Sequence, residues 1–326
     1  MNSTSSEFSY KQEYIQWCNE HKVIPIFMQP WWMDAVCLPE NWNVLVYKKN
    51  EEIIAVFVYY LTVKNGFKFI VQPPLTPFNG IWIDYSSFQT ENERIHIEKE
   101  VLNVFVKKLD EMNLSYYDQN FSPDFTNWLP FYWHHYEQTT RYTYQIPDIT
   151  DENLCFEHFS YAKQKQIKKA EKNAIKIDFN LTGEEFYNYV AMNLQATGNK
   201  VLYSKSLFMR LYNASVQQKQ CFIVSASDSE QRLHAALFIL FDKQKAYNLI
   251  STITPQYRSS GASSLVVWEA IKHSSDKVRT FDFEGSMEEN IENSFSQFGT
   301  IQIPYFRIRK YNSSVFKAIT KIKKWK

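Results

Sequence analysis

Glycine is scarce in this chain, with seven in 326 residues, so the backbone has few places where it can turn left-handed or admit a close neighbour. Cysteine is scarcer. Cys18, Cys37, Cys155 and Cys221 are scattered, form no C-x-x-C pair and have no histidine at metal-ligand spacing. That pattern excludes a zinc ribbon or a disulfide scaffold and leads us to expect free thiols in a reducing compartment and no metal. Long apolar runs are missing too. The longest, Ile53 to Leu61, is too short to span a bilayer and reads as a buried strand. Met1 to Glu7 carries neither a basic nor an apolar segment, so no secretion signal is expected. Neither charge sign is in excess: 36 basic residues face 35 acidic ones, a net charge of +1. This gives no global attraction to nucleic acid, and DNA is not an expected partner. The expectation is a cytoplasmic protein that can touch a membrane only from the side.

What is present is a chain able to bury a large core, 44% hydrophobic and 17% aromatic. Its length exceeds the usual single domain, so two are expected. The order of elements supports this, because one unit is written twice. In the first half, strands are expected at Trp42 to Tyr47, Ile53 to Val63 and Phe67 to Val71. A helix over about Glu91 to Met112 follows, then a strand at Ser115 to Gln119, a short helix through Pro123 to Trp133 and a strand at Tyr136 to Gln145. The second half repeats the order: strands at Gln220 to Ser227, His234 to Phe241 and Lys245 to Thr252, and a helix from Ser263 to about Ser275. A strand at Thr280 to Phe283, a helix from Glu288 to Phe298 and a strand at Ile301 to Ile308 complete it. Helix pairs at Phe8 to Glu20 with Pro30 to Val36, and at Gly183 to Ala196 with Ser204 to Val216, precede the two copies. Three antiparallel strands, a crossover helix and further strands make an α/β fold, with mixed sheets and helices on both faces. The expected domains are 1–147 and 148–326, with a basic linker helix over about 155–173.

Two of the seven glycines lie in the turns around the last crossover helix, at Gly261 and Gly285. Strand, glycine-containing turn and helix put unpaired N–H groups at a helix N-terminus, where phosphate is attracted. An ordinary helix cap would use the same residues. Arg258-x-x-Gly261-x-Ser263, followed by Leu265-Val266-Val267, resembles the Arg/Gln-x-x-Gly-x-Gly/Ala loop of GNAT-superfamily acyltransferases, with Ser263 where that family has Gly or Ala. The resemblance implies that Arg258, Ser259, Ser260, Gly261, Ala262 and Ser263 hold the pyrophosphate of acyl-CoA. The corresponding loop of the first copy carries Pro73, Pro74 and Pro77, which remove N–H donors. The donor is therefore expected in the second domain and acceptor contacts or rigid support in the first.

Two GNAT units in one chain resemble the Fem-type aminoacyltransferases and related N-acetyltransferases. The likeness is carried by Gln29-Pro30-Trp31-Trp32, Lys168-Lys169-Ala170-Glu171-Lys172 and the stretch from Tyr257 to Met287. It implies transfer of an acyl group from acyl-CoA, or of an aminoacyl group from tRNA, to an amine of a cell-envelope precursor or similar acceptor. A GNAT-fold protein that binds without catalysing stays open as a third reading.

Amine acylation needs a deprotonated nucleophile, an oxyanion partner and a proton for the leaving group. Asp282 and Glu284 alternate on the expected strand and would share a face. Glu284 is the candidate general base or amine clamp, with capping of the following helix as the plain alternative. Tyr305 is a candidate proton donor, or a core tyrosine. Lys163, Lys165, Lys168, Lys169, Lys172 and Lys176 surround a single Glu171. Of these, Lys165, Lys168, Lys169 and Lys172 share a helical face that would hold phosphates of a nucleotide-linked, lipid-linked or tRNA substrate, or would merely be solvated. Arg141 is grouped with them as an acceptor contact. Over about 314–325, Val315, Phe316, Ile319, Ile322 and Trp325 form one stripe. Lys317, Lys321, Lys323, Lys324 and Lys326 flank it without any acid, as in a helix resting on anionic lipid. Packing of the stripe against its own domain would explain it equally.

Overall fold

A computed structural model describes residues 3–21, 24–86, 88–285 and 287–323, with 3–9 and 321–323 described by backbone alone. In chain order the elements begin with α1 (Ser3–Glu20), α2 (Pro30–Cys37), β1 (Trp42–Lys49), β2 (Glu52–Lys64), β3 (Phe67–Val71) and β4 (Gly80–Ile83). Next come α3 (Glu91–Glu111), β5 (Tyr116–Asn120), α4 (Leu129–Trp133), β6 (Glu137–Ile146), α5 (Glu152–Glu157), α6 (Tyr161–Lys172) and β7 (Lys176–Asp178). The remainder is α7 (Gly183–Ala196), α8 (Lys205–Gln217), β8 (Cys221–Ser227), β9 (Leu233–Phe241), β10 (Lys245–Ile253), α9 (Ala262–Ser274), β11 (Thr280–Asp282), α10 (Glu289–Phe295), β12 (Ile301–Tyr311) and α11 (Ser314–Lys323). They form two compact units, one of 1–141 with 304–326 and one of 142–303.

In the first unit β2 is buried from Ile53 to Tyr59 and pairs antiparallel with β1, β3 and β4. A strand covered on all sides accounts for its unbroken apolar run. β3 then runs parallel to β5 across the α3 crossover. Thr90 and Glu93 close the start of α3 as a reciprocal cap, which fixes where the crossover begins. Val101, Leu102, Phe105 and Leu109 of α3 pack with Phe57, Tyr117, Phe121 and Phe131 in the core. The structure adds β4, which follows the proline-rich loop and is only four residues long. It also shortens the helix expected at Pro123 to Trp133, whose start is set by Pro130 in the first turn of α4.

The second unit repeats the pattern. β8, β9 and β10 are antiparallel, β10 is parallel to β11, and α9 is the crossover between them. β7 adds a short edge strand beside β8 that the sequence did not announce. Leu265, Val266 and Ile271 of α9, Ile167 and Ala170 of α6, and Leu237 and Ile239 of β9 share one core. The basic helix α6 is therefore part of the second unit, with two residues in its core, and not a free linker.

The later part of the last strand of each copy belongs to the other unit. Residues 142–146 of β6 lie in the second unit, where Gln145 and Ile146 pair with β11, whereas Arg307 to Tyr311 of β12 pair with β5. The cores follow the same exchange: Tyr144 and Ile146 pack in the second unit and Ile308 in the first. The boundaries accordingly fall at Arg141/Tyr142 and Ile303/Pro304, and a single cut at 147/148 does not describe them.

Candidate functional site

The turn before α9 is a 3-10 segment, Pro255–Ser260, ending at Gly261 with φ +85°. Only glycine takes that conformation without strain. A second demand falls on the same residue. A Cβ built there would overlap the carbonyl oxygen of Gln166 on α6 and meet the Ala170 side chain at 3.3 Å. Two further bonds join α6 to the turn: Ser264 Oγ donates to Gln166 Oε1 (2.6 Å) and Lys169 Nζ to the Ser259 carbonyl (2.6 Å). Within the turn, Ala262 N–H donates to Ser260 Oγ and Ser264 N–H to the Gly261 carbonyl. The amides of Ala262 and Ser264 therefore already have acceptors inside the chain. Arg258 is exposed on the 3-10 segment.

Ser263 opens onto a cavity of about 130 Å³ inside the second unit. Its walls include Leu237 of β9, Asn248 and Thr252 of β10, Val266 of α9 and Phe298. The register of β10 with β9 shifts between Asn248 and Ile250, so a bulge opens the strand pair beside the cavity. One wall carries a charge. Lys163, grouped by sequence with the solvated lysines, is only 6% exposed, donates to Ser294 Oγ at 2.9 Å and lies 4.6 Å from the centre of the Phe298 ring. Burial lowers its ammonium to about 8. Helical spacing already sets Lys163 apart from its neighbours but does not say what its side of the helix packs against. The signal was its spacing of four and seven residues from Ile167 and Ala170, the other buried residues of α6.

Asp282 ends β11 and is fully buried. It accepts from Thr143 Oγ1, from Gln145 Nε2 at 2.7 Å and from the Glu284 N–H at 2.7 Å. Burial pushes its carboxyl up, and these donors together with Lys245 pull it back. The expected alternation with Glu284 does not occur, because Glu284 takes φ +59° beyond the end of the strand. The Glu284 residue is half-buried, but its Oε1 is sealed and has no hydrogen-bond partner among the described residues. Burial first, and the Asp282 charge second, hold its carboxyl well above the usual range. Gly285 (φ +47°) follows, where a side chain would strike the Tyr142 carbonyl. Glu288, not Glu284, is the N-cap residue of α10.

The structure thus places Ser263 and Lys163 on one cavity and joins the turn to α6. Glu284 and Asp282 sit together at the end of β11 but do not line that cavity. Tyr305 belongs to the first unit, buried and 5.9 Å from Phe78, ring centre to ring centre. Arg141 ends the same unit, with a buried Nε that has no partner among the described residues. Lys165, Lys168, Lys169 and Lys172 are all exposed on α6. The cysteines are free, and burial lifts Cys18, Cys155 and Cys221 to about 12, which leaves them poor nucleophiles. Among the described residues no three His, Cys, Asp or Glu side chains are grouped to hold a metal, and no helix is long and apolar enough to cross a membrane.

By sequence, residues 163–290 match the family model of the acetyltransferase (GNAT) domain. No curated protein matches the chain. By structure, the chain is similar to a crystal structure of FemX, with a TM-score of 0.67 at 12% identity over 91% of this chain and 95% of that one. It is also similar to L-PGS from Bacillus licheniformis (TM-score 0.54, 10% identity, 96% of each chain). A tandem GNAT protein from the clavulanic acid biosynthesis pathway gives 0.52 at 7% identity, over 94% of this chain and 95% of that one. At these identities the likeness is one of fold, and it agrees with the repeated GNAT order. Residues 163–290 thus match a GNAT acetyltransferase domain, in a chain whose fold is similar to those of FemX and a tandem GNAT protein.

Proposed function

We propose that this protein is an N-acyltransferase that moves a small acyl group from acyl-CoA to an amine of a cell-envelope precursor or similar small acceptor. The observation that carries this reading is the cavity opening at Ser263, directly on the turn where the donor phosphates would lie. In this reading Arg258 supplies the charge for the pyrophosphate, and the bulged β10 and α9 hold the acyl chain. The attacking amine becomes acylated and the departing thiolate takes up a proton. Burial and the neighbouring Asp282 hold the Glu284 carboxyl well above the usual range, which suits it to donate a hydrogen bond or a proton more than to act as the resting base. Asp282 then serves as the group that positions Glu284. Calorimetry with acetyl-CoA tests the donor: micromolar binding weakened by Arg258→Ala supports it, and no binding by the parent protein overturns it.

One observation favours a second reading, transfer from aminoacyl-tRNA. α6 closes over the Gly261 turn and presents Lys165, Lys168 and Lys172 outward, an arrangement that offers less to a pyrophosphate and more to a polyanion. Retention of tRNA with a steep salt dependence would favour it. For both readings we place the protein in the cytoplasm. α11 rests peripherally on anionic lipid.

A further inference from the structure

We propose that the cavity of the second unit is a carboxylate site, with the anion seated on Lys163, and that the group held there is a small aliphatic acid. Only the identification of that acid with the transferred group rests on the acyl-transfer reading; the anion site itself does not.

Lys163 has three ammonium protons to place. One goes to Ser294 Oγ and one side of the group faces the Phe298 ring. No ion pair to Lys163 is found among the described residues. An enclosed cation without a counter-charge is costly, and a ligand carboxylate would remove that cost. The other walls specify what surrounds the carboxylate: Leu237, Val266, Val267 and Phe295 supply most of the surface, and Asn248 and Thr252 add polar atoms. The volume, about 130 Å³, approaches that of an engineered apolar cavity that takes up benzene, ~150 Å³. Four carbons ending in a carboxylate fit that combination better than an acetyl group, which would leave the cation unanswered.

Among the described residues, Lys163 is the only titratable group lining the cavity. On the surrounding elements Glu269 is paired with Lys272, Glu292 accepts from Tyr144, His234 lies on Asp228, Glu288 and Glu289 are exposed, and Lys245 bears on Asp282.

The test is ligand-observed NMR titration of the whole protein in chloride-free buffer, using succinate, its neutral counterpart succinamide, and chloride as probes. Succinate should bind, succinamide should bind at least tenfold more weakly, and Lys163→Met should abolish the difference while keeping or raising Tm. Because a substitution in the core can fail to fold, the unaltered protein supplies a second measurement: succinate affinity should fall by up to about tenfold as pH rises from 7 to 9 and Lys163 loses its proton. Succinate binding without acyl-CoA binding supports this site and removes the donor reading. Equal binding of succinamide, unchanged binding in Lys163→Met, or chloride binding with no gain for succinate would overturn the proposal.

Discussion

Gly261 faces the carbonyl oxygen of Gln166 so closely that a Cβ built on it would overlap that oxygen, leaving no room for a side chain between the turn and α6. The glycine that reads as a phosphate-loop residue is thus required by the fold, whatever it binds. Gly261→Val adds a branched side chain at φ +85° and against backbone. It should destabilise the protein by about 2–5 kcal/mol, combining the left-handed cost with overpacking, as read by denaturant unfolding without ligand. A loss of acyl-CoA binding in that variant would say nothing about phosphate. Arg258→Ala is the clean probe, because the side chain is exposed. Stability should stay within about 0.5 kcal/mol of the parent, while donor binding weakens by about 1.5–3 kcal/mol.

Much of the architecture was legible because its signals are local. The antiparallel triplets, α3, α7 and α9 follow from alternation, helical periodicity and caps such as Thr90 with Glu93 and Thr182 with Glu185. Two kinds of information were not local. The exchange of the last strands is a choice of partner, and nothing in Arg141 to Gln145 says that Gln145 will pair with Asp282 and not with the strand that precedes it in the chain. Burial of Lys163 is likewise decided by Phe298 and Ser294, well over a hundred residues away. The roles expected of Asp282 and Glu284 rested on strand alternation, which fails because the chain turns left-handed at Glu284.

The pH dependence of stability should expose the Glu284 proton. Its folded carboxyl is held above the ordinary 4.5 by burial and by Asp282. Below that range both folded and unfolded chains are protonated; above it only the folded chain keeps the proton, so stability falls as pH rises toward the raised folded value. Glu284→Gln carries no such proton. The variant should therefore gain on the parent as pH rises above about 5 and until the raised folded value is passed, by at most ~1.4 kcal/mol per pH unit, in urea unfolding series. Parallel profiles for the two proteins would show that the carboxyl ionises freely. If Glu284 also gives up its proton in the reaction, kcat of the variant should drop by roughly 10²–10⁴ with donor affinity unchanged.

Asp282 should matter more for folding than its charge suggests. Asp282→Ala strands the Thr143 hydroxyl, the Gln145 amide and the Glu284 N–H, all now bonded to it. Unsatisfied buried groups cost about 1–3 kcal/mol each, and partial relaxation brings the expected total to roughly 3 kcal/mol by chemical denaturation. Asp282→Asn keeps one acceptor oxygen and should recover about half of that loss. If the alanine variant is as stable as the parent, the network does not hold Glu284 in place.

The outward lysines of α6 separate the two donors. Reversing Lys165 and Lys168 to Glu changes only exposed positions, so folding should be unaffected. With acyl-CoA as donor, kcat/KM for that donor should change less than threefold, because the two side chains lie outside the cavity. With tRNA as donor, filter retention should weaken, and the slope of log affinity against log salt should become shallower by about 0.7–0.9 for each phosphate that a lysine no longer neutralises.

The C-terminal helix should bind lipid through residues that the single stripe of the sequence did not distinguish. Phe316 is turned inward, with its ring 4.8 Å from Phe69, 5.4 Å from Phe67 and 5.5 Å from Tyr116, and it fixes α11 to the first unit. Val315 and Ile319 stay exposed, at 63% and 37%, one turn apart, with Lys317 between them. The side chains of Lys321, Ile322 and Lys323 lie outside what is described, as do Lys324, Trp325 and Lys326. Docking by the exposed pair predicts sedimentation with vesicles containing anionic phosphatidylglycerol, and not with purely zwitterionic ones, lost above about 0.5 M salt as the charges are screened. Val315→Ser with Ile319→Ser should cut binding at least fivefold without lowering Tm, since neither side chain is in the core. Phe316→Ser should lower Tm instead, by removing the ring that seats the helix. Equal sedimentation with both vesicle types, or no effect of the double change, would mean that this face meets water.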